Sequence, residues 1–96
     1  MKQKNLKQYH ILVKGYVQGV FFRANAQKKA TQLGLFGWVK NTFDGNVEII
    51  AQGTEEKLRV LVEWCRHGPS HAKVEKVVVE EEEIKYKFHD FIILHE

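Results

Sequence analysis

Cysteine and proline each occur once among the 96 residues, and the scarcities set the first limits. A lone Cys65 forms no internal disulfide, so whatever fold exists must stand on its own core. With a single proline, 44% hydrophobic and 28% charged residues, the composition is that of an ordinary globule, not of a disordered or fibrous chain. Repeats, linkers and low-complexity tracts are missing, and no apolar run approaches membrane-spanning length. The opening MKQKNLKQYH is basic but lacks the apolar segment of a signal peptide. These absences predict a single cytoplasmic domain with no membrane attachment, and one modest core is all that this length supports.

Acid is scarce in one half only. Residues 1–45 carry eight Lys or Arg against one acid, a balance of +7, and residues 46–96 carry seven against eleven, a balance of −4; together they make the formal +3. The positive field therefore belongs to the first half, which favours an anionic ligand there. A nucleic-acid binder would more often spread its basic residues over a whole face.

What is present divides into regular elements. After a polar tail over residues 1–7, YHILVKGYV alternates and is rich in β-branched and aromatic residues, which predicts a strand ending near Val17. Phe22, Ala26, Ala30 and Leu33 then line one face of a helix that Gly34 stops. FGWVKNTFDGNVEIIAQG holds two β-type runs around Asp44-Gly45, a strong hairpin signal. Thr54 is placed to cap a second helix with Glu55 and Glu56 in its first turn, a stripe of Leu58, Leu61, Val62 and Cys65, and Gly68-Pro69 at its end. VEKVVVE predicts a fourth strand, Glu80–Glu83 a solvated turn or strand end, and FHDFIIL a short closing strand. The order βαββαβ plus a final β is that of the split βαβ, or ferredoxin-like, arrangement: a single α+β domain over residues 8–96, with an antiparallel sheet and both helices on one face.

The segment GYVQGVFFR, residues 15–23, links the first strand to the first helix. Gly19, Val20 and Phe21 precede that helix, and none of them can cap its first N–H groups. A phosphate would satisfy those donors, because the helix dipole favours an anion and glycine lets the backbone approach it closely. Arg23, in the first turn, could clamp the same phosphate bidentately. From the residues alone two readings stand: an anion cradle, or a tight strand-to-helix turn with glycines for sterics and a surface arginine. Neither a Walker-type loop nor a G-x-G-x-x-G occurs.

Val13-Lys14-Gly15-Tyr16-Val17-Gln18-Gly19-Val20-Phe21-Phe22-Arg23 resembles the first signature of the acylphosphatases. Gly37-Trp38-Val39-Lys40-Asn41-Thr42-Phe43-Asp44-Gly45-Asn46-Val47, with Gly53 six residues on, resembles their second. The likeness runs over roughly residues 8 to 95, including Gly68-Pro69-Ser70 and the Phe-x-x-Phe that ends at Phe91, and omits the tail before Tyr9 and the segment Glu80–Lys87. It implies a ferredoxin-like enzyme that hydrolyses acyl phosphates to a carboxylate and inorganic phosphate without metal or cofactor. By the same resemblance Gly15, Tyr16, Val17, Gln18, Gly19, Val20 and Phe21 cradle the phosphoryl group through backbone N–H groups, Arg23 binds it, and Asn41 holds the attacking water. The implied partners are a small-molecule acyl phosphate and inorganic phosphate or other small anions as product or inhibitor. Nucleic acid and membrane are not expected, and a free-standing monomer is.

That chemistry suits these residue types. Asn41 can orient a water but cannot usefully take its proton, which leaves the substrate's phosphoryl oxygens as the natural base. The leaving carboxylate has a conjugate-acid pKa of about 4 to 5 and departs without a general acid. A Mg²⁺ site would want carboxylates beside the phosphate, and Asp44 is the only acid in residues 1–45. With one cradle, one arginine and one asparagine, the pocket has few elements to read the acyl part, so broad substrate tolerance is expected.

Other residues have plainer explanations. Asp44 belongs to the hairpin turn before it is a general base, and Cys65 lies on a core stripe. His67 and His71 are separated by the helix-breaking Gly68-Pro69, and His10, His89 and His95 show no ligand pattern. Trp38, Phe21 and Phe22 suit core or pocket wall more than a base-stacking platform. The competing reading is a non-catalytic phosphate-ligand or RNA-binding ferredoxin-like module. Lys14-Gly15-Tyr16 opens like the RNP1 pattern, but Val17 and Gln18 stand where a small residue and an aromatic should follow.

Overall fold

The computed structural model describes residues 5–95. Seven elements follow in the expected order: β1 (Leu6–Tyr16), α1 (Phe22–Gln32), β2 (Phe36–Asn41), β3 (Val47–Thr54), α2 (Glu55–His67), β4 (Lys73–Glu82) and β5 (Phe91–Ile93). The sheet runs β4-β1-β3-β2-β5. Its two central strands, β1 and β3, pair antiparallel from Leu6↔Thr54 to Val13↔Val47.

Alternation along the strands assigns the two faces. Ile11, Val13, Val39, Val47, Ile49 and Ala51 are buried on one of them. Phe22, Ala26 and Ala30 of α1 and Leu58, Leu61, Val62 and Cys65 of α2 join them in a single core. The alanines at four-residue spacing let α1 lie close over β2 and β5, while α2 covers β4, β1 and β3. The Phe22 and Trp64 rings meet at 5.2 Å between centroids, joining the helices above the sheet. The other face carries His10, Leu12, Lys14, Glu48 and Ile50, where His10 Nε2 and Glu48 Oε2 are 2.7 Å apart.

Three details differ from the sequence expectation, and one alternative it left open, turn or strand end at Glu80–Glu83, is decided. β1 opens at Leu6, two residues inside the expected tail, because Lys7 and Gln8 are held in the sheet: Lys7 Nζ lies 3.1 Å from Glu55 and 3.6 Å from Glu81, and Gln8 Nε2 donates to Glu82. The first four residues lie outside those described. Glu80–Glu82 belong to β4, and as an edge strand β4 tolerates their exposed carboxylates. Thr54 occupies the N-cap of α2 without a side-chain cap hydrogen bond. The closing strand is only three residues long and runs parallel to β2, from Gly37↔Phe91 to Val39↔Ile93, so the sheet is mixed and antiparallel everywhere else.

Cys65 is fully buried on α2, and that burial pushes its thiol up to about 12, against a small opposing pull from Arg66. It is a core residue and not a nucleophile. At neutral pH the native protein should label with a thiol reagent at least about a thousandfold more slowly than the urea-unfolded chain. Comparable rates in stopped labelling would remove Cys65 from the core.

Candidate functional site

The register of β1 against β4 shifts between Lys14 and Gly15. At Gly15 φ is +133°, and a Cβ there would sit 2.2 Å from the Lys73 carbonyl oxygen. This glycine thus makes room for the neighbouring strand, and the bulge turns the chain off the sheet. Val17 and Val20 are buried and pin the ensuing loop at two points. Between them, at Gly19, φ is +76° with nothing within 4 Å of a hypothetical Cβ, so this second glycine serves backbone conformation beside open space.

Phe21 is the one described non-glycine residue with positive φ, at 66°. It is the N-cap of α1 and makes no side-chain cap. Such a conformation costs a bulky residue about 1–2 kcal/mol. Its carbonyl accepts from the Asn25 backbone N–H at 3.1 Å and from Asn25 Nδ2 at 2.8 Å, which holds the turn in place. Among the described residues, the backbone N–H groups of Gln18 through Phe21 donate to no protein acceptor. The loop and the first turn of α1 therefore present a run of free donors at the positive end of a helix dipole.

The Gln18 side chain spans to the β2–β3 hairpin. Its Nε2 donates to the Thr42 carbonyl at 2.9 Å and to the Asn46 carbonyl at 2.8 Å. The hairpin is closed by Thr42 N–H to Asn46 O at 2.8 Å and locked by the Thr42 hydroxyl, which donates to Asp44 Oδ1 and accepts from the Asn46 N–H at 2.9 Å. That hydroxyl, first among the causes, holds the Asp44 carboxyl below its ordinary range. Asp44 is thereby a turn latch and a poorer base.

Asn41 ends β2 opposite Val47. Its Oδ1 is buried without a hydrogen-bond partner, an arrangement that costs about 1–3 kcal/mol unless something donates to it. Arg23, the second residue of α1, is half-buried. Its Nη1 donates over a long 3.4 Å to His95 Nδ1, and no carboxylate among the described residues pairs with it. Two adjoining concavities of about 360 and 490 Å³ both include Arg23, Asn41 and His95 in their walls. One opens toward Gly19 and Phe21, the other toward Phe43.

The structure thus brings Gln18, Gly19, Phe21, Arg23 and Asn41 to one place. Gly15 and Tyr16 lie within the β1–β4 ladder, opposite Val74 and Lys73, so the free donors begin beyond them. Val17 and Val20 contribute backbone while their side chains serve the core. Sequence reasoning missed the side-chain role of Gln18 and the approach of His95, 72 residues away from Arg23; neither position carries a periodic or turn signal. No group of three or more His, Cys, Asp or Glu able to hold a metal occurs among the described residues. His67 instead faces Glu63 at 3.6 Å, and Phe22 is core.

Comparison with known proteins identifies the family to which this fold and these signatures belong. The family model described as Acylphosphatase matches residues 9–93. An acylphosphatase of Marinobacter nauticus is 46% identical over 90 residues, covering 94% of this chain and 98% of that protein. The structure of an acylphosphatase from Coxiella burnetii superposes with a TM-score of 0.91 at 43% identity, covering 98% of this chain and all of the other. The Bacillus subtilis acylphosphatase structure gives 0.89 at 43% identity, over 95% of this chain and 100% of that one. With both signatures in place on the same fold, this chain belongs to the acylphosphatase family.

Proposed function

We propose that this protein hydrolyses acyl phosphates to a carboxylate and inorganic phosphate by attack of water at phosphorus. The observation that carries the reading is the convergence, among the described residues, of free backbone donors at Gln18–Phe21, an arginine with no carboxylate partner, and the orphaned Asn41 Oδ1. In this reading the phosphoryl oxygens occupy the loop. There the N–H groups and the Arg23 guanidinium stabilise charge that spreads over the equatorial oxygens in the transition state. Asn41 Oδ1 accepts a hydrogen bond from the attacking water, which directs an oxygen lone pair toward phosphorus, while the water's other proton passes to a phosphoryl oxygen.

No general acid is required, because a carboxylate with a conjugate-acid pKa of about 4 to 5 leaves unaided. An alkoxide would need one, and among the described residues the one acid in the walls beside Arg23 is Glu48, which is engaged with His10 and Lys40. The enzyme reading is favoured over an RNA-binding module by the open sheet face. There an RNA platform carries its stacking aromatics on the central strands, whereas β1 and β3 present His10, Leu12, Lys14, Glu48 and Ile50, and Trp38, on β2 beside Ile50, is met by Lys40 Nζ at 5.4 Å from its ring centroid. No described helix is long and apolar enough to cross a membrane. An unpaired buried cysteine suits a reducing compartment, and we take the site to serve a cytoplasmic monomer acting on free small molecules, inorganic phosphate being product and weak inhibitor.

With benzoyl phosphate and a chelator present, the purified protein should turn over. Arg23→Ala and Asn41→Ala should each lose about a hundred- to a thousandfold or more in kcat while keeping the native circular dichroism spectrum. Simple alkyl phosphates should be turned over far more slowly, and comparable rates would sink the mechanism. The Gln18 side chain touches no reacting atom and acts by holding the loop against the hairpin. Gln18→Glu, which keeps the size but loses both donated hydrogens, should lower kcat about ten- to a hundredfold with much less effect on Tm. Loss of Tm with unchanged kcat would make Gln18 a structural residue only.

A further inference from the structure

Two large apolar side chains stand out of the surface on either side of the site. Phe43, at the tip of the β2–β3 hairpin, is 108% exposed relative to the reference state, and Phe21, at the N-cap of α1, is 77% exposed. Neither position asks for phenylalanine. The hairpin tip favours small polar residues, and the left-handed φ of 66° at Phe21 favours glycine or asparagine. Neither ring supports the core, since each lies in water on a segment that hydrogen bonds already hold.

Their placement is specific. Phe43 lines the concavity that contains Lys40, Thr42 and Leu94, Phe21 lines the one that contains Gly19 and Ile93, and the two concavities share Arg23, Asn41 and His95. The rings thus flank the point at which the phosphoryl group is expected. They are also fixed relative to it: Gln18 ties the loop that bears Phe21 to the carbonyls of Thr42 and Asn46 on either side of Phe43. Once phosphate fills the loop, the acyl group of a substrate must project outward between these walls.

Resting on the acylphosphatase reading, we infer that Phe21 and Phe43 form the acyl-binding rim of this site and select acyl phosphates with an aromatic or extended apolar acyl group over acetyl phosphate. The preference arises because a benzoyl ring removes apolar surface of both phenyl groups from water and stacks against them, whereas an acetyl methyl is too small to reach. The rim adds an element of discrimination to a pocket whose cradle, arginine and asparagine read only the phosphoryl end and the water.

The test compares kcat/KM for benzoyl and acetyl phosphate in the parent, Phe43→Ala, Phe21→Asn and the double variant, with the inhibition constant of inorganic phosphate measured alongside. Phe43 is fully exposed, so its replacement does not endanger folding, and asparagine keeps the left-handed turn at position 21. The benzoyl-to-acetyl ratio should fall about three- to tenfold in each single variant and further in the double one, while Phe43→Leu retains most of it. Differences in leaving-group reactivity cancel, because each variant is compared with the parent on the same pair of substrates. A ratio unchanged in the double variant, with phosphate inhibition intact, overturns the rim and leaves the hydrolase reading standing. A folded parent inert toward both substrates overturns the hydrolase reading and the rim with it.

Discussion

The two hydrogens of one carboxamide hold this site together. Gln18 donates both to carbonyls of the β2–β3 hairpin, and so a loop from one end of β1 and a strand end from β2 become a single rigid body. The loop has little else to fix it: Val17 and Val20 anchor it in the core, Gly19 turns it outward, and its N–H groups from Gln18 to Phe21 find no acceptor among the described residues. Without the carboxamide, the distance between the donors and Asn41 would be set only by the packing of α1 over β2. Preorganised dipoles contribute to catalysis only if they need not reorganise during the reaction, which makes this tie a condition of the mechanism.

The same economy explains the charge distribution. A site built from backbone N–H groups and one guanidinium is positive without many basic side chains, and it works best where carboxylates are scarce. The lone acid of residues 1–45, Asp44, is diverted into a hydrogen bond with Thr42, so it neither neutralises Arg23 nor competes for the anion. Acids gather instead along β4 and in the first turn of α2, where Glu55 meets Lys7 and Arg59. The costs that remain at the site, a left-handed phenylalanine and an unpartnered Asn41 oxygen, are of the kind that concentrates where a ligand will repay them.

Much of the fold could be read from residue order, because the strongest elements carry redundant signals. The stripe Leu58, Leu61, Val62, Cys65 of α2 is buried as spaced, and the Asp44-Gly45 hairpin pairs β2 with β3 as expected. Where the reading fell short, a tertiary partner decided. Lys7 looks like part of a tail until Glu55 and Glu81 arrive to hold it. The direction of β5 depends on its docking beside β2, which nothing in FHDFIIL encodes locally. At the site, the two residues that the signatures single out, Arg23 and Asn41, line the same two concavities. Gln18 looks like a backbone contributor because a side chain that reaches 24 residues ahead leaves no pattern near itself, and the exposure of Phe21 and Phe43 is invisible in sequence.

The account depends most on the free N–H groups of the loop being the anion receptor. Titration of inorganic phosphate into the ¹⁵N-labelled protein reads them individually. Binding should move the amide protons of Gln18, Gly19, Val20 and Phe21 downfield more than any others, and the shifts should be lost or need far higher phosphate in Arg23→Ala. If the largest shifts fall elsewhere, for instance around Lys57 and Lys87 at the opposite end of the sheet, the loop is not the receptor and the mechanism built on it is wrong.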